Sequence, residues 1–331
     1  MAINIRRREF IVTLGGAAVA WPPAARAQQP DKVIRIGILG PSLNSVATAA
    51  NYKAFVAELG QHGFKEGQNL VIEYRRVDDS RGPFVAAGEL MRLQVDLIVA
   101  DGPEVALQAV IGASRSIPIV IQAVNYDPIE RGYIDNLARP GGNITGFFYR
   151  QPELAQKQVE LLTQAFPQKT QLGMLWDEQS DDQFNAAEAA AKSIKLNIRP
   201  LKLTKPPHDF TAAFRTLAQD GAQMVLVLSS PFFTEFRPQI ADAAIQRRLP
   251  TMFIFKSYVE AGGLMSYGVD RTVLSRRTGE YVSRILSGSK PADLPVERAT
   301  KFELVINLKT AKAIGIEFST AILVRADQVI E

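Results

Sequence analysis

Hydrophobic and polar positions along this chain fall into two rhythms that alternate. Val33–Leu39, Val95–Ala100 and Ile117–Ala123 are short runs with apolar residues in succession. They read as strands covered on both faces, because a strand with one wet face would alternate instead. Between such runs lie helical spacings. Tyr52, Phe55, Val56 and Leu59 recur at i, i+3, i+4 and i+7, and Gly63 follows as a left-handed stop. Leu70–Arg76 reads as the next strand. The alternation of covered strands with amphipathic helices predicts parallel sheets with helices on both faces.

The same layout restarts after Leu137–Phe148, where Arg139-Pro140-Gly141-Gly142-Asn143 concentrates turn formers. We read this stretch as a hinge at which the chain passes between lobes. Beyond it come a helix near Pro152–Phe166, strand Gln171–Trp176, helix Asp181–Lys195, strand Ile198–Leu203, helix Phe210–Asp220, strand Gln223–Leu228 and helix Thr234–Arg247. Leu249–Phe255, Gly262–Tyr267 and a helix near Thr272–Ser287 are assigned back to the first lobe by a second crossing. Pro291–Pro295 is a stiff connector to strand Phe302–Asn307 and helix Lys309–Ile314, a third crossing. The expected fold is α/β, two doubly wound parallel-sheet lobes joined by a three-crossing hinge. Lobe 1 comprises residues 28–144 plus about 250–290, and lobe 2 comprises 145–249 plus about 300–331.

A chain of 331 residues with 47% hydrophobic content supports two such cores. Its start has another purpose. Arg6-Arg7-Arg8 precedes the apolar run Phe10–Trp21 and then Ala25-Arg26-Ala27, a small-x-small cleavage site, so residues 1–27 read as a signal peptide. Arg7-Arg8-Glu9-Phe10-Ile11 resembles the twin-arginine signal. The apolar run is well short of the roughly 20 residues that span a bilayer. The chain has no cysteine, hence neither a disulfide nor the acylated cysteine of a lipoprotein, and the expected location is the periplasm, soluble after cleavage. The formal charge of +4 owes most to that leader. Without it the charges nearly balance, which removes the electrostatic case for nucleic acid.

Ligands of open parallel sheets bind beyond the carboxyl ends of the strands, where loops enter helix N-termini. That rule selects a small set of candidates. Ser42 and Ser45 follow the first strand and offer hydroxyls, and Asp101, Gly102 and Glu104 follow the third. Tyr126 and Asp127 end the strand Ile117–Ala123. Asp127 ranks first as the partner of a ligand ammonium, because Asn125-Tyr126-Asp127-Pro128 ends a buried strand and is expected to open the next helix. In the second lobe the candidates are Phe148, Trp176, Asp177, Ser230 and Phe232, and Tyr258 joins them from the crossings. The aromatic members supply flat apolar surface for a ligand body. Capping competes for the serines and acids, and core packing for each aromatic residue.

Catalysis has little to stand on. The two histidines, His62 and His208, lie at a helix end and a helix start, and no nucleophile elbow, zinc-protease motif, P-loop or dinucleotide glycine pattern occurs. A carboxylate-based hydrolase is the remaining enzymatic alternative. No cofactor is expected.

The chain resembles the ABC-transporter substrate-binding proteins whose studied members include binders of aromatic amino acids. The resemblance rests on Ile34–Leu39, Gly67–Tyr74, Leu137–Gly146, Glu260–Gly268 and Pro291–Leu308, in order along nearly the whole mature chain. It implies a type I periplasmic-binding fold that closes on one ligand and presents it to an ABC permease in the inner membrane. The implied ligand is an aromatic amino acid, an aromatic acid or a similar small solute, bound by a monomer. Three positions depart from the family's pattern. Pro103 stands where the family usually has Thr or Ser, Ser230 where it commonly has an acid, and Asp177 where it commonly has Asn. The alternative within this fold is a receptor that reports ligand status to a membrane sensor.

Overall fold

The computed structural model describes residues 33–41, 46–77, 81–204 and 208–331. The leader expected at 1–27, and with it Ser42 and Ser45, lies outside the described residues. From Ile34 to Glu331 the chain is one compact unit.

Strand β1 (Ile34–Gly40) leads into α1 (Val46–Gln61), β2 (Leu70–Arg76), α2 (Pro83–Arg92), β3 (Leu97–Gly102), α3 (Glu104–Ala113), β4 (Ile119–Val124) and β5 (Ile144–Tyr149). Then come α4 (Gln151–Ala165), β6 (Gln171–Asp177), α5 (Asp181–Ser193), β7 (Asn197–Leu203), α6 (Phe210–Gln219), β8 (Met224–Val227), α7 (Pro231–Glu235) and α8 (Arg237–Gln246). The chain continues through β9 (Thr251–Phe253), α9 (Lys256–Glu260), β10 (Met265–Val269), α10 (Arg271–Leu286), β11 (Val296–Arg298), β12 (Phe302–Asn307), α11 (Leu308–Ile314), α12 (Thr320–Leu323) and β13 (Gln328–Ile330).

These strands build two sheets. A six-stranded sheet, in the order β11-β5-β4-β3-β1-β2, is parallel throughout. A seven-stranded sheet has the order β13-β12-β10-β9-β8-β6-β7 and is parallel except where β10 pairs with β12. The unbroken apolar runs are explained by helices on both faces of each sheet. In the first, Leu39, Ile98, Ile121 and Phe148 pack toward α2 and α3, while Ile38, Val99, Val120 and Phe147 pack with α1 and α10 residues such as Phe55, Leu274 and Tyr281. In the second, Met174, Leu226, Met252 and Ile306 meet α4 and α5, and Leu175, Val225 and Phe253 meet α6, α8 and α9.

The sheet pairing moves every crossing away from the place the sequence suggested. Leu137–Phe148 is not a passage between sheets, because β5 pairs with β4 in register from Ile119 opposite Ile144 to Val124 opposite Tyr149. The turn formers bend the chain back to the same sheet, and the Asn143 amide ties the bend by donating to the Ile117 carbonyl at 2.6 Å. Gly146 makes that pairing possible. It sits at φ +129°, and a Cβ there would strike the Ile121 carbonyl. The first crossing is therefore Arg150, between β5 and α4.

Leu249–Phe255 and Gly262–Tyr267, assigned above to the first lobe, contain β9 and most of β10, which pair with β8 and β12 in the seven-stranded sheet. A strand apolar on both faces fits either sheet, so local pattern does not name its partner. Of that stretch only α10 returns, packing on α1, β4 and β5. The second crossing is Asp270 and the third is Ala299–Lys301, after β11 has paired with β5. The two are joined by the Asp270 N–H donating to the Lys301 carbonyl at 3.0 Å.

Beside these crossings Glu303 on β12 is half buried, facing Asp270, Asp327 and Glu260 with Lys256 as the opposing cation. Burial raises its carboxyl from an ordinary 4.5 to about 7, and the acidic neighbours push the same way. A raised folded-state pKa means that the folded protein keeps a proton the unfolded chain has released. The contribution is complete below pH 4.5 and is lost as pH rises through about 7. Glu303→Gln is expected to flatten the fall in stability over that window and to raise stability at pH 8, as read from urea midpoints at pH 4.5 and pH 8.

Candidate ligand site

The carboxyl ends of the two sheets meet through a chain of carboxamides. Asn125, just past β4, holds φ +67°, a conformation that Asn tolerates better than most residues. Its Nδ2 donates to Gln151 Oε1 at 2.7 Å, and its Oδ1 accepts from the Gln151 N–H at 2.8 Å. Gln151 opens α4. Its Oε1 also accepts from Gln183 Nε2 on α5 at 2.9 Å. Gln183 then clasps the backbone of Ser229, past β8, donating to its carbonyl at 2.8 Å and accepting from its N–H at 3.1 Å. Both glutamines are buried. Asn125 and Gln183 each use both a donor and an acceptor, and Gln151 Oε1 accepts from both of them, which fixes where the end of β4 stands relative to the end of β8.

A second link runs between the ends of β3 and β9. Arg271, first residue of α10, gives both Asp101 oxygens hydrogen bonds from Nη2, at 3.1 and 3.0 Å. Its guanidinium also lies over the Phe255 ring, 5.6 Å from the centroid. Burial pushes the Asp101 carboxyl up against the pull of Arg271. For Arg271, burial disfavours the charge, but Asp101 overrides it and holds the guanidinium above its ordinary range. Tyr149, at the end of β5, senses both charges. Burial takes its phenol up to about 12, with Arg271 drawing it down and Asp101 pushing it up. Among the described residues, the buried Tyr149 hydroxyl, Arg271 Nε and Gln122 Oε1 have no hydrogen-bond partner. Gln122 and Arg271 share a cavity of about 40 Å³ with Asp101, Tyr74, Tyr52 and Phe55.

The structure sorts the expected site residues into three groups. Asp101 and Gly102 stand at the strand end beside Arg271, and Gly102 has φ +132° with open space where a Cβ would be. Glu104 opens α3 but is engaged by the Tyr133 hydroxyl at 2.8 Å and by Arg131 at 3.3 Å. Asp127 closes a turn of its own, its Oδ1 accepting from the N–H groups of Ile129 and Glu130 at 2.8 and 3.3 Å. No helix follows it, and residues 128–132 form turns.

Asp177 and Ser230, two of the three departures from the family pattern, are neighbours. The Ser230 hydroxyl donates to Asp177 Oδ2, and Asp177 Oδ1 accepts from the Gln179 N–H at 3.0 Å and the Ser180 hydroxyl at 3.1 Å. Asp177 thus places an acidic side chain at the strand ends of this sheet, held by Ser230, Gln179 and Ser180. The remaining aromatic candidates are packing residues. Trp176 stacks on Phe184 at 3.8 Å with its indole N–H on Asp181, and Phe148 and Tyr126 fill the core toward α2 and α3. Tyr258 is buried against Phe253, and Phe232 stacks on Phe236.

Sequence reasoning missed Arg271, Tyr149, Gln122, Gln151 and Gln183. The first follows from Asp270 as a helix N-cap, since its side chain accepts from the Thr272 and Val273 N–H groups. The others carry no local signal, because a buried amide is recognised only by its partners.

Replacing Gln183 by Leu leaves the Ser229 N–H and carbonyl buried without partners. It is expected to lower unfolding free energy by about 2–3 kcal/mol in urea denaturation. A loss within about 0.5 kcal/mol would mean that the amide chain does not hold the strand ends together.

The comparisons with known proteins agree with the fold. A tyrosine-binding protein of Clostridioides difficile is 26% identical over 270 residues, covering 80% of this chain and 76% of the relative. Among solved structures, a conserved domain protein from Vibrio cholerae matches with TM-score 0.78 and 25% identity over 90% of this chain and 100% of its own. An ABC domain from Streptococcus pneumonia, solved in complex with L-Trp, matches with TM-score 0.74 and 26% identity over 90% of this chain and 99% of its own. The family model for ABC transporter substrate binding proteins matches residues 38–330, nearly everything from the first strand onward, and the chain belongs to that family.

Proposed function

We propose that this protein is the periplasmic receptor of an ABC importer, closing two lobes on one small organic solute with an aromatic body and delivering it to a permease. The observation that carries the reading is the meeting of strand ends. β3, β4 and β5 of one sheet and β6, β8 and β9 of the other direct Asp101, Arg271, Tyr149, Asp177, Ser229 and Phe255 toward the same region. The ligand classes of the relatives, L-Trp and tyrosine, support an aromatic solute. The leader read at residues 1–27 supports export. Among the described residues no helix is long and apolar enough to cross a membrane.

The protein works as a monomer and makes or breaks no bond in its ligand. Closure is favoured only to the extent that the ligand binds the closed state better than the open one, so both lobes contribute contacts. On lobe 1 these come from the Arg271 and Tyr149 region. On lobe 2 they come from Ser229, Ser230 and Phe255, with the Asp177 carboxylate as the anionic group at the strand ends. Pro103 contributes no hydroxyl and no N–H, and Glu104 places an acid in the first turn of α3. That helix end is therefore a poor host for a ligand carboxylate.

The test is a thermal-shift screen of the chain from Gln28 onward against aromatic amino acids, aromatic acids and other small carboxylates. A ligand at ~100 times its dissociation constant adds about 2.7 kcal/mol and raises the midpoint visibly. Raised midpoints confined to aromatic compounds support the reading. A shift confined to the aliphatic carboxylates would overturn it.

A further inference from the structure

The cavity behind Asp101 carries information about the ligand that the family does not. It lies between the six-stranded sheet and helices α1 and α10, lined by Ile38, Tyr52, Phe55, Tyr74, Gln122 and Arg271 among others. At about 40 Å³ it exceeds the roughly 10–15 Å³ that admits one water molecule, and so has room for a hydroxyl group.

The hydrogen-bonding demand of this cavity can be worked out atom by atom. The Thr278 hydroxyl donates to the Leu274 carbonyl at 2.9 Å, so toward Gln122 it can only accept. The 2.9 Å contact with Gln122 is therefore made by the amide NH₂, and Gln122 turns its carbonyl oxygen, an acceptor, away from it. That oxygen is buried and has no partner. Arg271 Nε–H is a donor in the same condition. The buried Tyr149 hydroxyl, outside the cavity lining but within electrostatic reach of Arg271 and Asp101, can act either way.

The charges are already balanced. Asp101 takes both its hydrogen bonds from Arg271, and a ligand carboxylate placed here would leave a net negative charge in a buried site. A carboxylate also cannot donate to Gln122, and an ammonium cannot accept from Arg271. A neutral hydroxyl does both. The walls that lead to it, Tyr52, Phe55 and Tyr74, suit an aromatic ring carrying that hydroxyl, with Tyr52 and Tyr74 packed edge to face at 6.2 Å.

We propose that this cavity is the specificity subsite of the cleft and receives the hydroxyl of a phenolic ligand, with Gln122 accepting its proton and Arg271 Nε and Tyr149 donating to its oxygen. The proposal rests on the reading of the protein as a receptor for aromatic solutes and narrows it to hydroxylated rings. The amino and carboxyl groups of such a ligand are then held elsewhere in the cleft.

The experiment is calorimetric titration with matched pairs that differ by one hydroxyl: L-tyrosine against L-phenylalanine, 4-hydroxyphenylacetate against phenylacetate, and 4-hydroxybenzoate against benzoate. Wild-type protein is expected to prefer the hydroxylated member of at least one pair by at least about tenfold. Tyr149→Phe and Gln122→Leu should each cut that preference, lowering affinity for the hydroxylated member by more than they lower affinity for its unhydroxylated partner. Tyr149→Phe removes a hydroxyl that bonds to nothing in the protein, so its ligand-free melting midpoint should stay level, which separates lost recognition from lost fold. Equal affinity within every pair that binds would overturn the subsite and mean that the cavity holds only water. A preference that survives both substitutions would overturn it as well. Failure of all six compounds to bind would instead overturn the aromatic reading on which the subsite depends.

Discussion

Three side-chain amides in series, Asn125, Gln151 and Gln183, set the geometry on which the rest of this structure depends. The two glutamines are closed off from water at the junction of two sheets, where an unmade hydrogen bond costs about 1–3 kcal/mol and a made one gains less, and Asn125 joins them half-buried. That asymmetry lets them position rather than merely attach. With Gln151 buried between Asn125 on one side and Gln183 on the other, the ends of β4 and β8 have one satisfactory arrangement. Everything that faces the cleft inherits its place from that arrangement and from Arg271, which touches Asp101 at the end of β3 and Phe255 beyond β9.

In the proposed receptor, the position of Arg271 ties recognition to motion. It is the residue after Asp270, the second crossing, and Asp270 is hydrogen-bonded to Lys301 in the third. A group that engages Arg271 therefore acts within one residue of the segments that must rotate when the lobes move. A substrate-binding protein needs that coupling, since a ligand can only shift an equilibrium by the difference in its affinity for the two states. At the first crossing Tyr149 and Gln151 stand on either side of Arg150, with Gln151 engaged by Asn125 and Gln183.

Much of the fold was legible in the sequence, and the illegible part has a single physical cause. Apolar succession in Val95–Ala100 and Ile117–Ala123 identifies strands covered on both faces, and the helical spacing of Tyr52, Phe55, Val56 and Leu59 identifies α1. Neither says which sheet a strand joins. β5, β9 and β10 were therefore placed on the wrong side of a crossing, for they are apolar on both faces and would be buried equally well in either sheet. The turn Arg139–Asn143 misled for a related reason, since turn formers mark a reversal of the chain and not its destination. At the site, Asp101 and Gly102 followed from the strand-end rule. Trp176, Phe148 and Tyr258 satisfied the same rule by position, yet their side chains turn into the cores. Gln122 and Tyr149 lie within covered strands, where a polar side chain or a phenol reads as an interruption until its neighbours are known.

The central claim is that one aromatic solute holds two lobes closed, and small-angle scattering tests it most directly. The chain from Gln28 onward would be measured alone and with the tightest-binding aromatic compound at a concentration shown by calorimetry to saturate it. This account predicts a smaller radius of gyration with ligand and a return to the starting value after dialysis. An unchanged radius at demonstrated saturation would contradict it, because the ligand would then be bound without the lobes closing on it.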